Sequence, residues 1–224
     1  MSRGKTKPAD PTAAQFSAYR AQYDYFNRVL FGGQLAPVIL NFSRASANTL
    51  GFFAPKRWAR GKDAVHEISL CPAHLALRPP KETASTLVHE MVHAWQEEHG
   101  KKGRRGYHNQ EWADKMKSIG LQPTATGEPG GPETGDSMTH LIVKGGPFDR
   151  AFNAMPTECH LPWTSFEITG EKKKRTPSKV KFTCPGCACN AWGKPTLSLV
   201  CGDCSEQMEP AELPVDADDE SEAA

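Results

Sequence analysis

The sequence predicts an α+β fold followed by a small cysteine-rich module, and three observations carry that reading. Apolar residues recur at three- and four-residue steps in stretches around Phe16–Leu30, Lys81–Glu98 and Trp112–Ile119, the pattern of amphipathic helices. Short β-branched or apolar runs, VILNFS and HEISLC, lie between the first two and read as strands. Near the C-terminal end CPGC and CGDC repeat one cysteine spacing. A length of 224 residues suits one full domain and a small appended module.

Taken in order, residues 1–11 are polar and read as disordered. Phe16, Tyr19, Tyr23, Phe26 and Leu30 then mark the core side of a first helix, which FGGQLAP breaks with paired glycines and a proline. In ALRPPKETASTLVHEMVHAWQEEHG two prolines precede a helix expected from Lys81 to Glu98 and ending near Gly100. GKKGRRGYH is a glycine-rich basic loop. NQEWADKMKSIG places Trp112, Met116 and Ile119 on one side of another helix, closed by Gly120. The first domain is thus expected over 12–121. TATGEPGGPETGDS, almost without apolar residues, reads as a linker over 122–138. An accessory segment and basic tether fill 139–182, the cysteine module 183–205, and an acidic tail 206–224. No internal repeat is visible.

Composition excludes some classes. No apolar run approaches the roughly 20 residues of a membrane span, so no membrane partner is expected. MSRGKTKPAD has basic residues without the apolar core of an export signal. The expected compartment is therefore the cytoplasm, nucleoid-associated in a bacterial host. The net charge of +1 hides a division: setting aside the seven acidic residues from Glu209 onward leaves a body of +8. A basic body permits contact with nucleic acid, and an acidic tail can compete with that polyanion. Seven cysteines in a cytoplasmic chain argue for metal rather than disulfides.

The stretch TLVHEMVHAW carries the chemistry. Residues four apart on a helix point the same way, so His89 and His93 can offer two imidazoles to one ion. Glu90 lies about 100° round the helix, placed to reach a water on that ion as general base. Leu87, Val88, Met91, Val92 and Trp95 would bury the pair, and buried histidines need partners. Two residues compete as third ligand. His99 would fall about 240° from His93 if the helix continues through Gln96. His108, opening the next helix beyond the glycine loop, is favoured.

With those residues in place, the stretch from about Phe16 to Leu121 resembles the SprT-like, or Spartan-type, metalloprotease domain. FNRVLFGGQLAPVILNFS, TLGFFAP, ISLCPAHLALRPPKETASTLVHEMVHAW and YHNQEWADKMKSIGL carry the likeness, which covers roughly half the chain. In that family the third ligand stands in an HGxxF setting; here His108 is followed by Asn109, with Trp112 in place of the phenylalanine. The resemblance implies a zincin-like domain and a zinc peptidase whose best known members degrade proteins crosslinked to or sitting on DNA, a DNA-repair role. One catalytic zinc on His89, His93 and His108 would lower the pKa of a water towards about 7. Glu90 would take its proton and return it to the leaving amine. Protein substrates would pair with an edge strand near Glu67–Leu70.

Cys184, Cys187, Cys201 and Cys204 form two CxxC turns that would close a structural zinc site, a zinc ribbon. Cys189 is the alternative to Cys187. Cys71 and Cys159 read as buried small hydrophobes. Trp192 and Lys194, with Lys172, Lys173, Lys174 and Arg175 upstream, set an aromatic beside a cationic stripe, which suits single-stranded DNA. Lys101, Lys102, Arg104 and Arg105 would bring the same polyanion to the catalytic site. The rival reading is a non-catalytic nucleic-acid-binding adaptor on a zincin scaffold.

Overall fold

A computed structural model describes residues 10–43, 49–75, 77–164 and 179–211. Most of the polar N-terminus, the acidic tail from 212 and the tether residues Lys172, Lys173, Lys174 and Arg175 lie outside the described residues. The chain divides into two compact units, Met1–Glu167 and Ile168–Ala224. Among the described residues no helix is long and apolar enough to cross a membrane.

In the first unit, helix α1 (Pro11–Phe31) starts at Asp10, whose carboxylate accepts from the Thr12 and Ala13 amides at 2.9 and 3.3 Å. Pro11 supplies the fixed φ of a first helical turn, and Gly32 ends the helix at φ 63°. Its buried side carries Tyr19, Tyr23 and Phe26. A three-stranded sheet follows, made of β1 (Ile39–Phe42), β2 (Gly51–Arg60) and β3 (Asp63–Leu70). β3 lies in the middle, parallel to β1 and antiparallel to β2. This corrects the expectation of a substrate-pairing edge at Glu67–Leu70, because both sides of that segment are already hydrogen-bonded. The edges are β1 and β2.

A short turn of helix, α2 (Pro72–Leu75), leads to α3 (Pro80–His99), the centre of the unit. From Thr83 to Val92 every residue of α3 is buried, so this helix is surrounded rather than laid on a surface. Helix α4 (Gln110–Ser118) buries Trp112, Ala113 and Met116. The expected domain end at 121 falls at the start of a strand: β4 (Leu121–Thr124) pairs antiparallel with β5 (Thr139–Ile142). The 122–138 segment is thus a loop closed by a strand pair, fastened near its far end by a β-bridge from Gly135 to His108. Helix α5 (Pro147–Asn153) and a 3-10 turn at Thr157–Cys159 complete the core, where Gln22 donates to the Cys159 carbonyl at 3.1 Å.

The second unit is a small sheet in the order β7 (Asn190–Gly193), β6 (Val180–Thr183), β8 (Glu209–Pro210). Its core is Val180, Phe182, Cys184, Cys201 and Met208. So little apolar material is short of what an independent fold needs, and a metal is the usual remedy.

Candidate metal centre

Three imidazoles converge in the first unit. The α3 pair, His89 and His93, have ring centroids 5.2 Å apart, and His108 at the head of α4 lies 4.8 Å from His93 and 5.6 Å from His89. One ring nitrogen from each lies within 4.8 Å of the other two. Tetrahedral ligands on zinc stand about 3.4 Å apart given bonds of about 2.0–2.1 Å, so the three are within reach of one ion after small ring rotations.

Burial prepares these rings as ligands. It depresses the proton affinity of His89 well below the usual range, assisted by the neighbouring histidines. Burial and the closeness of His108 bring His93 down to about 3, and burial lowers His108 as well. All three are therefore neutral at pH 7 and have a lone pair to offer. His108 has its orientation fixed by backbone. Its Nδ1 lies 3.1 Å from the Gly135 carbonyl, which can only accept, so Nδ1 carries the proton and Nε2 is left for the metal. This donor set fits zinc on chemical grounds.

His99 is not part of the group. Helix α3 runs through Gln96 instead of breaking there, because Gln96 is buried and donates to Asn109 at 2.8 Å and Glu111 at 2.9 Å. His99 is consequently on the far side, exposed, with Nε2 3.1 Å from the Gln34 carbonyl. The residue after His108 also has its reason. Asn109 caps α4 by accepting from the Trp112 amide at 3.1 Å, and donates to the Lys101 carbonyl at 2.9 Å. Its φ of −85° is open to any residue, so no glycine is required at this step.

Glu90 is buried on α3 beside the pair. Desolvation pushes its carboxyl up to about 8, partly offset by a hydrogen bond donated from the Phe53 amide of β2. A cation on the histidines would favour the ionised form again. Since Phe53 belongs to an edge strand, Glu90 connects the histidine cluster to the free margin of the sheet.

Four features around the site were not found from sequence. Trp112 lies among all three imidazoles, with centroids 4.4, 5.0 and 5.5 Å from His108, His89 and His93. Gly135, the Phe53 amide and His140 are the others. His140 in β5 brings its ring to 5.3 Å from that of His89, and burial together with Arg78 lowers it to about 4. The only local signal was a histidine inside an apolar strand, THLIV, which is too common to single out.

In the second unit Cys184, Cys187, Cys189 and Cys201 hold their sulfurs within 4.8 Å of one another. Cys204 interacts with the thiols of Cys187 and Cys184. Five sulfurs thus gather where four were expected, a cluster compatible with a zinc ribbon. Cys71 and Cys159 are buried elsewhere.

The described residues expected to contact nucleic acid belong to both units. Lys101, Lys102, Arg104 and Arg105 are exposed between α3 and α4. Two of them face acids, Lys102 on Glu97 at 2.5 Å and Arg104 on Asp136 at 2.7 Å. Trp192 is 64% exposed on β7, and its cross-strand partner on β6 is the exposed Lys181, with Lys194 two residues on.

A family model described as the SprT-like family matches residues 19–130. That is half of the chain and includes the three histidines and Glu90. No curated protein matches the chain.

Proposed function

The chain belongs to the SprT-like family, a metalloprotease type of domain, and from that premise we propose that it is a zinc-dependent peptidase acting on DNA-associated or DNA-crosslinked proteins. The observation that carries the first half is the convergence of His89, His93 and His108 beside the carboxylate of Glu90. His89, His93 and His108 would hold the ion, which supplies a Lewis acid for the scissile carbonyl and acidifies a water. Glu90 would take a proton from the attacking water and hand it to the departing amine. The Phe53 amide keeps the carboxylate aimed while it is charged. A substrate segment lies along the outer margin of β2, the edge strand whose Phe53 amide reaches Glu90, and its backbone pairs there as an added strand.

The experiment is Glu90→Gln, which keeps size and the acceptor for Phe53 but removes the base. Cleavage of a protein substrate should fall by about 10²–10⁴-fold with zinc content unchanged. Wild-type cleavage by this variant would refute Glu90 as the base, and no cleavage by the zinc-loaded wild type would leave the adaptor reading standing.

The second half rests on the outward face of the ribbon. An exposed indole opposite Lys181, near Lys194, suits base stacking flanked by phosphate contacts. Trp192→Ala should weaken single-stranded DNA binding by about 1–3 kcal/mol and leave cleavage of a DNA-free peptide intact. Unchanged DNA affinity would detach the substrate class from the chemistry.

A further inference from the structure

We infer that His140 is a positioning residue that, through Ser85, fixes which nitrogen of His89 faces the metal; the inference rests on the zinc-peptidase reading above. Three hydrogen bonds in series give the direction. The Ser85 hydroxyl donates to the Glu82 carbonyl at 2.8 Å. A carbonyl has no proton to give and a hydroxyl has only one, so the bond to Glu82 and a bond donated to His140 exclude each other, and we assign the proton to Glu82. Ser85 Oγ is therefore an acceptor towards His140 Nε2, which lies 2.8 Å away and must carry the ring proton. His140 Nδ1 is then a lone pair. It faces His89 Nδ1 at 3.2 Å, a contact that is a hydrogen bond only if His89 carries its proton on Nδ1.

The series ends with His89 Nε2 unprotonated. The backbone of α3 thus sets the tautomer of a ligand on the same helix, by way of a histidine from β5. His108 reaches the same state by a shorter route, from Nδ1 to the Gly135 carbonyl. His89 is served differently: the group that faces its Nδ1 is a side chain, His140, rather than a carbonyl. This gives β5, and the loop that closes on it, a task at the metal centre. The α3 position Ser85 acquires one too, since alanine there would free His140 to take either tautomer.

The test uses the full chain, first stripped of metal and labelled with ¹⁵N. Long-range proton–nitrogen correlation spectra should show His89 with its proton on Nδ1 and His140 with its proton on Nε2. His140→Leu removes the acceptor: His89 should become a mixture of tautomers, and zinc affinity, measured against a chelator, should drop about 10- to 100-fold. His140→Asn, whose Oδ1 can accept in place of Nδ1, should recover most of that loss, whereas a residue that merely fills space would not be rescued by an amide. Ser85→Ala is the second route should the leucine variant not fold, and it should mix both tautomers without touching either ring. His89 protonated on Nε2 in the wild type, or zinc affinity indifferent to His140→Leu in a folded protein, would overturn the inference. Failure to bind zinc in the wild type would instead overturn the peptidase reading.

Discussion

The indole of Trp112 lies nearly parallel to the imidazole of His93, with 22° between the planes and 5.5 Å between the centroids. The same indole meets His108 edge-on at 4.4 Å, so one fully buried side chain of α4 lies against an imidazole of α3 and the imidazole just ahead of its own helix. Trp112→Ala should cost about 3–5 kcal/mol of stability, the range for emptying a large aromatic site. Zinc affinity should fall with it, because His93 and His108 lose their common wall. Thermal unfolding of the metal-free variant and a chelator competition would check both. Full zinc affinity in a folded Trp112→Ala protein would mean the rings need no such brace.

The two candidate third ligands separate cleanly by mutation. His108→Ala should abolish cleavage and remove one zinc from the purified protein. His99→Ala, at an exposed position contacting only the Gln34 carbonyl and Glu98, should change neither and alter stability by less than about 0.5 kcal/mol. Metal analysis of the two variants side by side decides the assignment. A zinc lost with His99 rather than His108 would require α3 to break at Gln96.

That choice was legible in the sequence because it needed only helical geometry: two residues four apart agree in direction, and two residues six apart do not. What was not legible depended on partners remote in the chain. β2 was missed as a strand because its outer half, from Pro55 to Arg60, is exposed and charged, and its pairing slips between Ala54 and Trp58. The centrality of β3 follows from β1 lying parallel to it, an order that no local pattern encodes. The segment 122–138 looks like a linker because what fastens it, the backbone bonds between Gly135 and His108 and between β4 and β5, leaves no residue pattern in the sequence. Cys189 entered as an alternative ligand, but only the fold shows that it joins the cluster without displacing Cys187.

Removing the metal should expose opposing pH dependences of stability. Glu90 is protonated more readily when folded, at about 8 against 4.5, so it stabilises fully below pH 4.5 and that contribution disappears as pH rises through 8. His93 behaves oppositely: its folded value of about 3 lies below the ordinary 6.5, so its contribution is present above 6.5 and disappears as pH falls through 3. Glu90→Gln deletes the first effect alone. The melting temperature of the metal-free variant should therefore gain on wild type steadily between pH 4.5 and 8, with a constant gap below 4.5. A gap that does not vary with pH would place Glu90 in a wetter setting than its burial indicates.

Of the five sulfurs in the second unit, the backbone distinguishes four. After Cys184-Pro-Gly-Cys187 the Ala188 amide returns to the Cys184 carbonyl at 2.9 Å, with Ala188 at φ 59°. After Cys201-Gly-Asp-Cys204 the Ser205 amide returns to the Cys201 carbonyl at 2.9 Å, with Ser205 at φ 54°. Two turns with the same closure present their cysteine pairs in the same way, and a left-handed residue without glycine in each costs about 1–2 kcal/mol that some gain must offset. A shared four-coordinate ion would supply that gain. Cys189 stands outside both turns, though its sulfur lies 3.6 Å from that of Cys201. Cys189→Ser should accordingly keep the ribbon zinc and its melting transition. Cys204→Ser should lower zinc affinity sharply, keeping at most the weak binding of a set completed by Cys189. Zinc counted per chain, with the histidine site disabled by His108→Ala in each variant, isolates this site; retention in Cys204→Ser and loss in Cys189→Ser would reverse the ligand set.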